Sequence, residues 1–250
     1  MGLEINKLKL NRGSMSIGPI SMEVKKGEIV TICGKNGSGK TSTLSALARD
    51  IPILSGNVII DGTKMETMTI KQLSRKLSYV QQEIPEPMGF TVRDILEIAG
   101  FTRNGGKEEI KEALNLCGME SFIDREFSSL SGGEKRMVYI ASGIYQNSDY
   151  IMLDEPTSYL DIDRIQLLVG ILKKMKKMDR GILLVLHDIN LAYKISNRIL
   201  LMASGSSVAY GEASEVIRED VLPKAYDVPF SSYDSPEGKR FYPIHSTDSL

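Results

Sequence analysis

The sequence has only two cysteines, a formal net charge of -1 and no apolar run long enough to cross a bilayer. Each shortage excludes something. A near-neutral chain lacks the electrostatic footprint of a nucleic-acid binder, so no nucleic-acid partner is expected. The cysteines, Cys33 and Cys117, lie far apart and form no metal-ligand pattern, which fits a reduced, cytosolic compartment. The longest apolar runs, such as Ile182 to Leu186, are far too short for a membrane span. The N-terminus, MGLEINKLKL, lacks the uninterrupted apolar core of a signal peptide, and Asn6 breaks the myristoylation pattern after Gly2. Any membrane role must therefore come through a partner. The 250 residues, 42% hydrophobic and 25% charged, suffice for one globular domain with or without a subdomain. The basic run Lys173 to Met178 falls late in a helical pattern and reads as a solvated helix end.

Glycine, by contrast, is concentrated where it costs most. The stretch ICGKNGSGKTSTLSAL, Ile32 to Leu47, fits G-x-x-x-x-G-K-[ST] through Gly34, Gly39, Lys40 and Thr41. A β-branched run precedes it, and Leu44, Leu47 and Ala48 share one helical face after it. Strand, glycine loop, helix is the context in which backbone N–H groups curl around phosphate oxygens at a helix N-terminus. Gly34, Lys35, Asn36, Gly37, Ser38, Gly39, Lys40, Thr41 and Ser42 are therefore the expected phosphate-binding residues, with Lys40 on the terminal phosphates and Thr41 on Mg²⁺.

Strands and helices alternate in two blocks, up to about Gln82 and from about Ser148 to Tyr210, which predicts an α/β fold with a mainly parallel sheet covered by helices. Between them, after Pro85, Pro87 and Gly89, three segments read as helices, and Thr91 with Asp94 forms a capping box for the first. The expected division is a core of residues 1–84 and 146–222, a helical insert of 85–145 and a C-terminal appendage of 223–250, either a small β unit or a loosely held tail.

Two further signals narrow the class. YIMLDEPTSYLD delivers Asp154 to a strand's C-terminal edge, where a hard carboxylate can hold Mg²⁺, and Glu155 follows, placed to orient or deprotonate a water. LSGGE, comprising Leu130, Ser131, Gly132, Gly133 and Glu134, opens a predicted helix and offers a second site for anionic oxygens. One nucleotide does not need both loops; a second becomes intelligible if it closes over nucleotide bound by another copy.

With these motifs in this order and spacing, residues 3 to 222 resemble the ATP-binding subunits of ABC transporters. The resemblance implies a P-loop NTPase core with an N-terminal antiparallel β subdomain and an inserted helical subdomain. It implies ATP as substrate and Mg²⁺ as cofactor, the metal held by Thr41, Gln82 and Asp154. Glu155, His187, Gln82 and Lys40 become the catalytic residues, with Gln82 linking nucleotide state to the membrane partner and Gln81 standing where proline is common. Ser158, Tyr159, Leu160 and Asp161 resemble the segment that crosses the dimer interface. The implied assembly is an ATP-dependent head-to-tail homodimer on two integral membrane permease subunits, served by an external substrate-binding protein. The chain would then be peripheral, on the cytoplasmic face of the cell membrane.

Departures from the family pattern are local. Met137 and Ser142 stand where arginines are usual, and no aromatic residue precedes Tyr79 to stack on adenine, which leaves Arg12 nearest that position. Within the family the chain is most similar to ATPases of importers for iron-siderophore, haem or cobalamin-type chelates. An exporter's ATPase, or a soluble ABC-type ATPase of translation or DNA repair, stands as the alternative.

Overall fold

A computed structural model describes residues 1–83, 85–103, 105–236 and 238–244; positions 84, 104, 237 and 245–250, which include parts of the expected insert and appendage, lie outside the described residues. In chain order come β1 (Gly2–Arg12), β2 (Met15–Lys25), β3 (Ile29–Gly34), α1 (Lys40–Leu47), β4 (Ser55–Ile60), β5 (Thr63–Lys64), α2 (Ile70–Lys76) and β6 (Leu77–Val80). The insert supplies α3 (Val92–Ala99), α4 (Lys107–Leu116) and α5 (Gly132–Tyr145). There follow β7 (Tyr150–Asp154), α6 (Ile162–Lys177), β8 (Gly181–Val185), α7 (Ile189–Ile195), β9 (Arg198–Ala203) and β10 (Ser206–Glu212). The chain closes with the short helices α8 (Ala213–Val216) and α9 (Pro223–Tyr226) and the strands β11 (Phe230–Ser235) and β12 (Gly238–Pro243).

These elements form two compact units. The first comprises Met1–Leu3, Lys25–Glu28 and Ile59–Leu184. Its strands β8, β7 and β6 are neighbours in that order, and β6 runs parallel to β7 with Leu77 opposite Tyr150 and Val80 opposite Leu153. Every residue of β7 is buried, as expected of a parallel strand covered on both faces. Of the insert's helices, α5 packs against β6 and β7, and α3 and α4 pack against α5. Thr91 caps α3 as its sequence predicts: its hydroxyl accepts from Asp94 N at 3.3 Å, and Asp94 Oδ2 accepts from Thr91 N at 2.7 Å. At the start of the strands, Lys76 lies between Asp61 at 2.8 Å and Asp149 at 2.6 Å, and Tyr150 donates to Asp61 at 2.8 Å. Those bonds to Lys76 hold the Asp61 and Asp149 carboxyls below their ordinary range against the opposing effect of burial.

The second unit comprises Glu4–Val24, Ile29–Val58 and Val185–Leu250. Here β1 and β2 alternate, burying Ile5, Leu8 and Leu10 from one and Ile17, Ile20, Met22 and Val24 from the other. β3 is buried throughout and pairs parallel with β9, Ile32 opposite Leu200 and Gly34 opposite Met202; β10 returns antiparallel on the far side of β9. The described residues of the appendage form α9 and an antiparallel hairpin, β11 with β12, in register from Phe230 opposite Pro243 to Ser235 opposite Gly238. Asn190 of α7 bonds the backbone of Phe241 in both directions, at 2.9 and 2.8 Å, as another strand would. Among the described residues no helix is long and apolar enough to cross a membrane.

Candidate functional site

β3 delivers the chain to Gly34, whose φ of 146° is closed to other residues in practice. A Cβ there would stand 2.1 Å from the carbonyl oxygen of Met202. Gly37, at φ 75°, faces open space, and a Cβ would meet nothing within 4 Å. Here it is the left-handed backbone, together with room for another group to come close, that suits glycine. Gly39 caps α1 in the left-handed conformation. Lys40, buried, folds back so that Nζ donates to the carbonyls of Gly34 and Lys35, both at 2.9 Å, and closes the loop on itself. Ser38 Oγ is buried without a hydrogen-bond partner, an arrangement that costs about 1–3 kcal/mol unless an outside group engages it. Thr41 is half-buried and Ser42 buried, while Lys35 and Asn36 are exposed. The loop thus offers a cradle and an orphaned donor that fit phosphate oxygens.

Lys35 carries a contact that sequence reading missed. Its Nζ lies 2.7 Å from Asp227 Oδ2, just after α9, so the appendage is tied to the phosphate loop. Beneath the loop, burial pushes the Cys33 thiol up to about 12, despite the opposing charge of Lys40, and so leaves it unreactive. His187 follows β8 and is exposed, and Asp188 beside it caps α7 by accepting from Asn190 N at 2.8 Å and Leu191 N at 3.0 Å. Arg12, at the end of β1, is exposed too.

In the other unit the structure brings Gln82, Glu155 and Ser158 together. Gln82 Nε2 donates to Glu155 Oε2 at 2.7 Å, and Ser158 Oγ reaches the same oxygen at 3.5 Å. Glu155 is non-glycine at φ 46°, and Tyr159 at φ 67°. Such conformations are rare and turn the chain sharply, so Glu155 leaves the strand direction that Asp154 still follows. Asp154 is fully buried and accepts from the Tyr79 hydroxyl at 3.3 Å, a partner the sequence did not announce. Leu160 is half-buried, and Asp161 caps α6 by accepting from Arg164 N at 2.9 Å.

The glycine pair at the start of α5 is framed by a second capping box. Ser131 Oγ accepts from Glu134 N at 3.4 Å, and Glu134 Oε2 accepts from Ser131 N at 2.8 Å. That backbone bond holds the Glu134 carboxyl below its usual range, with Arg164 3.7 Å away adding to the effect. S-x-x-E was present in the sequence as the signal. Leu130 is buried, Ser131 and Gly132 are exposed and Gly133 is half-buried. A Cβ on Gly133 would stand 2.8 Å from Tyr159 O, whereas on Gly132 the nearest atom would be 3.7 Å away. Gly133 is thus required by its own chain; Gly132 is not.

A family model described as ABC transporter matches residues 17–158. The chain is 31% identical over 230 residues to the Petrobactin import ATP-binding protein FpuD of Bacillus anthracis, covering 88% of this chain and 84% of that one. It is 27% identical over 241 residues to the Hemin import ATP-binding protein HmuV of Rhodococcus jostii, covering 94% and 82%. Among solved structures, a metal-chelate-type ABC transporter in an inward-facing conformation superposes with a TM-score of 0.84 at 22% identity, over 98% of both chains. The dimeric cassette MJ0796 gives 0.75 at 24% identity, over 84% of this chain and 98% of that one.

Proposed function

Because the chain belongs to the ABC transporter family of ATP-binding subunits, we propose that it hydrolyses ATP to power an importer, its cargo an iron-siderophore, haem or cobalamin-type chelate. The named roles of its relatives, petrobactin import and hemin import, support the cargo class. Support for the chemistry comes from one observation above all: Gln82 fixes the Glu155 carboxylate at 2.7 Å, as a positioned general base requires.

In this reading Lys40 and the loop amides from Gly37 to Thr41 hold the β- and γ-phosphates. Glu155 takes the proton of a water whose oxygen attacks the γ-phosphorus, while the bond to the β–γ bridging oxygen breaks and ADP leaves. Gln82 keeps the accepting carboxylate oriented, and His187 donates a hydrogen bond to the γ-phosphate. Thr41, Gln82 and Asp154 would hold Mg²⁺, which when bound neutralises phosphate charge; a hydroxyl, an amide and one carboxylate are hard oxygen donors suited to that ion. Ser131, Gly132 and Gly133 complete the site of a second copy in a head-to-tail dimer, and Ser158 to Asp161 line the contact between copies. The partners are two integral membrane subunits and an external binding protein, with this chain peripheral on the cytoplasmic side. Purification of the native protein from membranes should bring two membrane subunits and the binding protein with it. Ribosomes in their place would overturn the assignment.

Base selectivity should be weak. An aromatic ring stacked on a base is worth roughly 1–3 kcal/mol, and the exposed Arg12 offers no ring. The phosphate contacts are common to ATP and GTP, so the isolated subunit should bind GTP within about tenfold of ATP, a difference under roughly 1.4 kcal/mol. Competition binding, repeated on Arg12→Ala, checks this. A hundredfold preference for ATP that survives the substitution would place adenine recognition elsewhere.

A further inference from the structure

The largest fully buried side chain among the described residues is a charged one, Arg136 on α5. A buried cation is tolerated only where hydrogen bonds replace its water. Arg136 takes main-chain carbonyls. Nη1 donates to Gln81 O at 2.5 Å and, more weakly, to Gln82 O at 3.5 Å, and Nη2 donates to Asp154 O. Nε has no partner. Burial pushes the guanidinium down to about 10, offset by the charges of Asp154 and Glu155, so it stays protonated at neutral pH.

Those carbonyls sit at a particular place. Gln81 and Gln82 follow β6 directly, and Asp154 is the last residue of β7, one before Glu155. A planar fork can bond both strand ends at once; an ammonium or a single amide serves fewer acceptors in fewer directions. The neighbours on α5 hold the same segment. Lys135 Nζ lies 2.7 Å from Glu86 Oε1, and the Tyr139 hydroxyl donates to Pro85 O at 2.9 Å. Met137, where the family usually has an arginine, is buried and apolar, so the guanidinium bonded to the strand-end carbonyls is that of Arg136.

We infer that Arg136 is a positioning residue: it transmits displacement of the glycine-led helix α5 to the Gln82–Glu155 pair, and so sets the general base of one nucleotide site according to whether Gly132 and Gly133 have engaged the nucleotide of the partner copy. This rests on the reading of Glu155 as the base and of the glycines as a contact across the dimer. Displacing α5 moves the backbone at both strand ends, and with it the 2.7 Å contact that orients the carboxylate. Misplacing a catalytic group by about 1 Å can cost roughly a hundredfold in rate.

Steady-state ATPase and fluorescent-nucleotide binding on Arg136→Gln and Arg136→Lys, with Arg136→Gln repeated on Gln82→Ala, test the inference. Nucleotide Kd should stay within about threefold, while kcat falls roughly tenfold or more in Arg136→Gln and less in Arg136→Lys. The Hill coefficient for ATP should fall from above one towards one. On the Gln82→Ala background the further loss should be under about threefold, because both substitutions act through one pair. A kcat within about twofold of wild type, the same loss on both backgrounds, or a loss of Kd in step with kcat would each overturn it. Where Arg136→Gln does not fold, Arg136→Lys decides: reduced kcat at unchanged Kd supports the inference, and wild-type kcat and cooperativity overturn it. Failure of the underlying reading shows separately, as wild-type turnover by Glu155→Gln.

Discussion

Glu155→Gln is expected to bind ATP nearly as well as wild type and to hydrolyse it about 10²–10⁴ times more slowly. The carboxylate is nearly buried, sits at a left-handed turn and has one oxygen bonded to Gln82 at 2.7 Å. An amide of the same shape can keep a bond to Gln82 by turning its oxygen toward it, so fold and nucleotide contacts survive, but it cannot accept a proton. Lys40→Ala should behave in the opposite way and lose nucleotide binding first, because Nζ braces the carbonyls of Gly34 and Lys35 and, in the proposed mechanism, supplies positive charge to the terminal phosphates. Equilibrium binding and single-turnover hydrolysis on the two variants separate these effects. Wild-type turnover by Glu155→Gln would remove the general base from the mechanism.

The second large effect concerns assembly. In the Glu155→Gln background, Mg-ATP should drive a two-fold dimer, and adding Gly132→Asp should abolish it while ATP still binds the monomer. Gly132 is the appropriate position because it is exposed and a Cβ there meets nothing closer than 3.7 Å, so its own chain tolerates a side chain. Gly133 would confuse the result, since a Cβ there presses on Tyr159 O at 2.8 Å. A carboxylate at the start of α5 is neutral or favourable to the helix itself but repels a γ-phosphate presented by a partner. Light scattering with and without Mg-ATP reads the outcome; an undiminished dimer in the double variant would show that the glycine pair does not face the partner's nucleotide.

Much of this site was legible because its chemistry is local. The glycine spacing from Gly34 to Gly39, the strand that ends on Asp154 and the Thr91–Asp94 cap all lie within a few residues, and short-range backbone rules suffice to read them. The left-handed turns at Glu155 and Tyr159 left no such mark, because neither position is glycine, the residue that usually signals such a conformation. Arg136 was equally hidden. In sequence it is one of several cations in a helix, and only the tertiary fold turns it inward onto carbonyls 18 and 55 residues away. The appendage was ambiguous for a different reason: its turn-rich composition suits a hairpin or a tail. The contacts that tie it down, Asn190 on Phe241 in the hairpin and Lys35 on Asp227 after α9, span 51 and 192 residues.

Uptake tests the central claim most directly. Cells carrying Glu155→Gln in place of the wild-type chain should be offered radiolabelled iron as haem, as a ferric hydroxamate and as a ferric catecholate, and labelled cobalamin in parallel. Loss of energy-dependent uptake of one of these chelates, with the others intact, is the predicted result. Undiminished uptake of all four, in cells whose purified Glu155→Gln protein no longer hydrolyses ATP, would contradict the account.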